Sequence, residues 1–347
     1  MSKNEKKKGK GLKIFGIIVL ILIILLVAII GYTYFYITDK LNKIQRVDID
    51  LGQLDISEQA EANLTGYRNI ALFGIDSRSN DDYGRGNRSD CIIIASINNS
   101  TKEVKLVSVY RDTYMQIEGH GLDKVTHAYS YGEAPLAIST LNTNLDLNIK
   151  EFVAVNFDAV AEAVDALGGV EIDVEENEIQ YINSYIGETS KVTGIETEKV
   201  TSAGTQTLDG VQAVAYARIR YTEGGDYKRA ERMRTVVEAM FNKLKTKSIS
   251  ELNEFADLIL PKIYTNIDTG AIISMAPDLL KYNVTDSIGW PYETRGKTMG
   301  AWYGIPVTLE SNVTKLHQEL FRESDYVPSE TVQNISDSIV NRTGYSN

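Results

Sequence analysis

Asp76 with Arg78, Arg88-Ser89-Asp90, Arg111-Asp112, Arg218-Ile219-Arg220, and Asp226 with Arg229 and Arg232 are the residues whose types and spacing could do chemistry. The 347-residue chain has a formal charge of −11, and residues 1–13 contribute six Lys and one Glu, which leaves −16 for the rest. Against that acidic background, Val214 to Arg234 carries six basic and three acidic residues, a local reversal of sign. Guanidinium groups are planar, always charged and bidentate, which suits phosphate oxygens, while aspartates can hold a hard divalent cation. Phosphate chemistry follows as the first hypothesis. The competing one is a set of surface ion pairs, common and worth little energetically.

Position sharpens the first hypothesis. Arg229 and Arg232 fall in the opening turns of a helix predicted over Asp226 to Lys245, at the positive end of its dipole, where basic side chains are misplaced unless an anion sits there. Arg218 and Arg220 share a face only if the chain is extended after a helix running from Leu208 to Ala217. Asp76 and Asp90 bracket a long polar loop, a layout that can bring two carboxylates together at neighbouring strand ends. A Mg²⁺ completed by substrate phosphates and a simple pair of ion pairs are both open there. Asp112 is readable as the partner that orients Arg111. The chain has no G-x-x-x-x-G-K-[ST], G-x-S-x-G or H-E-x-x-H motif, and His120, His127 and His317 are its only histidines, which argues against a nucleotide loop, a Ser-His-Asp hydrolase and a zinc site. The acidic bulk lacks the basic stripe that nucleic-acid binding requires.

The elements that must position these residues are legible from pattern. Asn69 to Ile75 and Cys91 to Ile97 read as buried strands, Asn98 to Lys102 as a turn, and Val104 to Val109 as a strand pairing back. The charged loop Asp76 to Asp90 therefore follows a strand, where ligands of α/β sheets sit. Thr126 to Leu145 is helical in composition and Glu151 to Phe157 reads as a strand. Asp158 is the N-cap candidate for Ala159 to Leu167, Gly168-Gly169 ends that helix, and Val170 to Val174 returns as a strand, an order that predicts a parallel portion of sheet. Residues 175–204 are acidic, Thr-rich and poorly periodic, an insertion or flap. Helical patterns recur at Ser250 to Leu260, Asp268 to Lys281 and Leu309 to Phe321. The fold class is α/β, a central mixed β-sheet flanked by helices, preceded by one N-terminal transmembrane helix.

Residues 14–37 run without a charge and at ~1.5 Å per residue exceed the ~30 Å hydrocarbon core, so they are assigned as that membrane-spanning helix. Tyr32, Tyr34, Phe35 and Tyr36 form an interfacial belt at its far end, and the lysines of residues 1–13 place that basic tail in the cytoplasm and the rest of the chain outside. Residues 38–66 are expected to be a stalk, 67–325 the catalytic domain and 326–347 a frayed C-terminal tail. Cys91 is the single cysteine, so it forms no intrachain disulfide and is read as a small core hydrophobe. Export without disulfides points to a Gram-positive cell surface.

The run Ile70 to Asp76 with Ser77-Arg78, then Arg88-Ser89-Asp90, Ser108 to Thr113, Lys124 to Tyr129, Asp165 to Val170, Leu208 to Ala213, Tyr216 to Arg220 and Asp226 to Arg232 resembles the LytR-CpsA-Psr family of cell-wall glycopolymer transferases. The resemblance implies a membrane-anchored phosphotransferase acting outside the cell membrane. Its donor would be a polyprenyl-pyrophosphate-linked glycopolymer, such as teichoic acid or capsular polysaccharide, and its acceptor a peptidoglycan hydroxyl, with polyprenyl phosphate released. It implies Asp76 and Asp90 near Mg²⁺, with Arg88, Arg111, Lys124, Arg218, Arg220 and Arg229 around the pyrophosphate and Asp226 close to the reacting centre. Asp76, Asp90, Arg111 and Asp226 are thus the expected catalytic residues, and Arg78, Arg88, Lys124, Arg218, Arg220, Arg229 and Arg232 the expected substrate-binding ones. Two positions depart from the family pattern: Met233, commonly Gln, and Met115, which can be Arg, lack a donor for phosphate or sugar. A water-using pyrophosphate hydrolase and a non-catalytic lipid-pyrophosphate binder remain as alternatives. Which polymer is moved, which hydroxyl accepts it and the oligomeric state are not encoded in these motifs.

Overall fold

The computed structural model describes residues 34–77 and 82–346 and divides the chain into two units, Met1–Ile44 and Gln45–Asn347. In the first unit residues 34–41 form a helix, α1. The basic tail 1–13 and most of the expected membrane span lie outside the described residues, and among those described no helix is long and apolar enough to cross a membrane.

The second unit is built on a seven-stranded sheet. Its strands are β1 (Gln45–Arg46), β2 (Tyr67–Ile75), β3 (Ser89–Asn98), β4 (Glu103–Val109), β7 (Glu151–Asn156), β10 (Tyr264–Thr265) and β11 (Asn283–Trp290), in the order β1-β10-β7-β2-β3-β4-β11. β2 pairs antiparallel with β3 and β3 with β4, while β2 and β7, and β4 and β11, run parallel. The mixed sheet expected from the sequence is therefore present. Its strands are apolar on both faces: Ala71, Phe73, Ile75, Ile92, Ile94, Val107 and Val109 join one core, and Ile70, Ile93, Ala95, Ile97, Val104 and Leu106 another. That period of two is what both-face coverage by helices requires. α3 (Val125–Leu145), α10 (Leu309–Phe321) and α11 (Glu330–Thr343) serve the first core, and α7 (Gly225–Leu244) and α9 (Thr269–Met275) the second. Pro135 lacks an N–H and crowds the carbonyl one turn back, which accounts for the break in α3 at Gly132 and Glu133.

Four expectations are corrected. β8 (Val170–Val174) leaves the central sheet and pairs antiparallel with β9 (Gly204–Leu208), so the parallel partner of β7 is β2 instead. The N-cap of α4 (Phe157–Ala166) is Asn156, whose side chain accepts from Ala159 N, not Asp158. Residues 175–204 are no loose flap: α5 (Glu176–Thr193) opens on a reciprocal Glu175–Glu178 capping box and buries Ile182 and Ile186. Neither end of the domain is a bare stalk or tail. β1 is in the sheet, Leu54 and Leu64, either side of α2 (Glu58–Asn63), are fully buried in the first core, and so are Val332 and Ile339 of α11. For α5, α2 and α11 the sequence signal was present, as short apolar spacings that polar neighbours diluted.

Candidate active site

One edge of the sheet gathers the chemistry. β2, β4, β7 and β11 all end there and β3 begins there, so Asp76, Ser89-Asp90, Arg111 and Phe157 come from five adjoining backbone positions on that edge. The loop is anchored by Asp76 N donating to Arg88 O (3.0 Å) and by Thr126 Oγ1 donating to Ser89 O (2.9 Å). Opposite it stand the end of α6 (Gly210–Ala217), with Arg218 as its C-cap, and the first turns of α7. Ile219 is fully buried between Arg218 and Arg220, which turns both guanidinium groups to the same side.

Asp76, Asp90, Arg218, Arg220 and Arg229 line a single cavity of about 170 Å³ together with Phe157, Tyr185 and Met233. Asp90 lies 2.7 Å from Arg111 Nη1 and 3.4 Å from Arg220 Nη2. Arg229, 3% exposed, lies 3.0 Å from Asp226, and Arg220 Nε is 3.7 Å from the same carboxylate. Burial pushes the Arg229 guanidinium below its ordinary value, with Asp226 acting against that and Arg220 reinforcing it. Lys124 Nζ is held at 2.8 Å by Asp112, which also stands 3.8 Å from Arg111 Nε. Arg218 donates to Thr189 Oγ1 and Glu188 Oε1 and lies over the rings of Tyr185 and Phe157. The Nε–H groups of Arg111 and Arg229 are buried without a hydrogen-bond acceptor among the described residues. Asp90 Oδ1, Asp112 Oδ1 and Asp226 Oδ1 are likewise orphaned beside them. Buried polar groups are nearly always paired, so orphaned donors and carboxylate oxygens together mark a place built for a ligand that brings both oxygens and a cation or proton.

Of the residues singled out in the sequence, Asp76, Asp90, Arg218, Arg220 and Arg229 share the cavity; Arg111 and Asp226 join Asp90 and Arg229 around an adjacent water-sized void. Lys124 reaches this group through Asp112. Arg88 is exposed and contributes its backbone carbonyl, and Arg78 lies outside the described residues. Arg232 is corrected: it is 1% exposed and points away, donating from Nε to the equally buried Glu178 (2.7 Å) and from its other nitrogens to Ile219 O and Thr222 Oγ1. Met115 is fully buried in the first core, and Met233 is buried on the floor of both the cavity and the void. Cys91 is half-buried and its thiol is pushed up to about 12, chiefly by burial. Phe157, Tyr185, Glu188 and Thr189 were missed; three of the four lie in the segment read as a flap. No group of three or more His, Cys, Asp or Glu able to hold a metal occurs among the described residues. A cation here would rest on Asp76 and Asp90 and on oxygens brought by the ligand, which is how Mg²⁺ is usually held at phosphates.

Residues 31–318 match the LytR_cpsA_psr family. The chain is 31% identical over 277 residues to the polyisoprenyl-teichoic acid-peptidoglycan teichoic acid transferase TagU of Enterococcus faecalis, covering 78% of this chain and 84% of that one. It is 31% identical over 304 residues to the corresponding transferase TagT of Bacillus subtilis, covering 85% and 91%. A solved structure of B. subtilis TagT with bound octaprenyl pyrophosphate lipid superposes with a TM-score of 0.51 at 23% identity, over 86% of this chain and 94% of that one. The fold is thus shared with that structure.

Proposed function

The chain belongs to the LytR-CpsA-Psr family, and from that premise we propose that it moves a wall glycopolymer, as a glycosyl phosphate, from a polyprenyl-pyrophosphate carrier to a hydroxyl of peptidoglycan. The observation that carries the reading is the buried pair of unpaired Nε–H donors on Arg111 and Arg229 beside a cavity lined by Arg218 and Arg220. A pyrophosphate supplies oxygens enough to satisfy them, and guanidinium forks match its geometry. The names of the TagU and TagT relatives support a transferase of teichoic acid, and the lipid in the TagT structure supports a polyprenyl pyrophosphate donor.

In this reading the acceptor hydroxyl oxygen attacks the phosphorus attached to the glycan. The bond from that phosphorus to the bridging oxygen breaks, polyprenyl phosphate leaves with the electron pair, and the hydroxyl proton passes to Asp226 at the mouth of the site. Arg218, Arg220 and Arg229 hold the pyrophosphate and stabilise charge moving onto the leaving oxygens, a contribution that is large in a preorganised, partly dry site. Arg111 and Lys124, fixed by Asp90 and Asp112, hold their charges in place at the other side. Asp76 and Asp90 would hold Mg²⁺, which when bound supplies charge neutralisation between the phosphates. The six lysines ahead of the apolar run 14–37 support a cytoplasmic N-terminus with the domain outside the membrane.

Incubating the full-length protein in detergent with a ³²P-labelled lipid-linked glycan and isolated sacculi tests the proposal. Label fixed in the sacculi as a phosphodiester, and lost with chelator, is the expected result. Label released only as soluble glycan phosphate would make the enzyme a hydrolase, and donor that stays bound and intact would make the protein a binder.

A further inference from the structure

Arg218, Arg220 and Arg229 line one cavity but are held in different ways. Arg220 and Arg229 lean on carboxylates of the site itself, Asp90 and Asp226. Arg218 leans on α5. Its Nη1 donates to Thr189 Oγ1 (3.2 Å) and its Nη2 to Glu188 Oε1 (3.0 Å). The guanidinium carbon lies 5.3 Å from the centre of the Tyr185 ring and 5.8 Å from that of Phe157, within the range at which a cation is drawn to an aromatic face. Tyr185, Glu188 and Thr189 stand at i, i+3 and i+4 of α5, so one face of that helix presents all three to the same fork.

These supports are unequal. The Glu188 side chain is 62% exposed, so its ion pair is screened by salt and gives way to a more highly charged anion. Thr189 is 2% exposed, and its carbonyl is tied by Thr193 Oγ1 (3.1 Å). Phe157 and Tyr185 are half-buried and pack against the core that takes in Ile182, Ile186 and Ile219. α5 is pinned again near its start, where Glu178 pairs with the buried Arg232. Thr189 and Tyr185 are therefore rigid where Glu188 is not, and what they touch inherits that rigidity.

On the reading of the site given above, we propose that Thr189 and Tyr185 are positioning residues that set the Arg218 fork for the pyrophosphate before the donor arrives. A guanidinium carries five N–H donors in one rigid plane. Thr189 occupies one of them, and the Tyr185 and Phe157 rings fix the tilt of the plane, which leaves the other N–H groups to be directed at phosphate oxygens. Arginine has a long, rotatable stem, and a fork ordered beforehand stabilises charge on the leaving oxygens without being ordered during the reaction. Both residues act through Arg218, so their loss counts only where that guanidinium is present.

Thr189→Val keeps the shape and removes the acceptor, while Thr189→Ser keeps the acceptor; Tyr185→Ala removes the ring, while Tyr185→Phe keeps it. Full-length protein in detergent is assayed for single-turnover release of polyprenyl phosphate from a lipid-linked donor. Thr189→Val and Tyr185→Ala should each slow release by roughly 10- to 100-fold, the scale of a misplaced catalytic group. Thr189→Ser and Tyr185→Phe should recover most of the rate. In an Arg218→Ala background neither Thr189→Val nor Tyr185→Ala should slow release further, because changes that act through one shared group are not additive. The same pattern is expected in the Kd for octaprenyl pyrophosphate, measured by calorimetry without turnover. A merely structural role would lower Tm and add its cost with or without the guanidinium. The proposal is overturned if Thr189→Val releases as wild type does, if Tyr185→Phe is as slow as Tyr185→Ala, or if the losses persist at full size in the Arg218→Ala background. Normal release by Arg218→Ala itself would sink the reading of the site and this inference with it, whereas slow release by Arg218→Ala beside normal release by Thr189→Val and Tyr185→Ala removes the inference alone.

Discussion

Removing the Arg232 guanidinium should destabilise the domain severely, for a reason that has nothing to do with phosphate. Arg232 and Glu178 are each 1% exposed and 2.7 Å apart, and Arg232 also donates to Ile219 O and Thr222 Oγ1. Arg232→Ala leaves a carboxylate buried without its cation and a carbonyl without its donor. Breaking such a pair costs about 3–5 kcal/mol, which for a domain of this size lowers Tm by on the order of 10 °C. Replacing both partners with apolar residues of similar volume, Arg232→Met with Glu178→Leu, should recover most of that stability, because the penalty comes from the orphaned charge. Denaturant unfolding of wild type, both single variants and the double variant decides. If Arg232→Ala loses less than about 1 kcal/mol and its defect is confined to donor binding, the residue reaches the ligand and the assignment made from the folded geometry is wrong.

Met115→Arg should fail to accumulate as folded protein, since it places an unpaired charge in a fully buried core position, and soluble protein with a normal melting curve would contradict that placement. Met233→Gln should cost about 1–3 kcal/mol and also change the transfer rate, because its side chain floors the cavity; a change in neither would exclude both roles. Asp76→Asn and Asp90→Asn should abolish the chelator-sensitive part of turnover while lipid is still retained, and chelator-resistant wild-type activity would remove the metal from the account. Cys91, raised from its ordinary 9.0 to about 12, stays protonated in the folded state where the unfolded thiol ionises. The unfolded chain then binds fewer protons, so stability should fall between about pH 9 and 12, by at most roughly 1.4 kcal/mol per pH unit from this group. A Cys91→Ala variant that keeps the whole slope would assign it to the buried tyrosines instead.

The central strands and the polar loop between Asp76 and Asp90 were legible because apolar runs with β-branched residues demand a sheet and charges at strand ends have nowhere to be buried. Arg218, Arg220 and Arg229 were legible as a group because they crowd positive charge into an acidic chain, and Arg229 in addition breaks a local rule by standing at the positive end of a helix dipole. Arg232 broke the same rule for another reason: its partner Glu178 lies 54 residues earlier, and no local pattern shows which charge pairs will be buried together. Tyr185, Glu188 and Thr189 were lost with α5, whose apolar positions Ile179, Ile182 and Ile186 are spaced for a helix but separated by polar residues. The Glu175–Glu178 capping box was the signal that could have found it. The separation of β8 and β9 from the sheet is a tertiary choice, since Val170–Val174 has the same alternation whichever partner it takes.

Single-turnover cleavage of a lipid-linked donor by Arg218→Ala, Arg220→Ala and Arg229→Ala tests the central claim most directly. Each variant should fold, with Arg229→Ala the least stable because its side chain is buried, and each should release polyprenyl phosphate on the order of 10²- to 10³-fold more slowly than wild type. Arg→Lys at the same positions keeps the charge but loses the fork and should also be impaired. Near-normal release in all three alanine variants would contradict the account and leave the arginines as ordinary ion pairs.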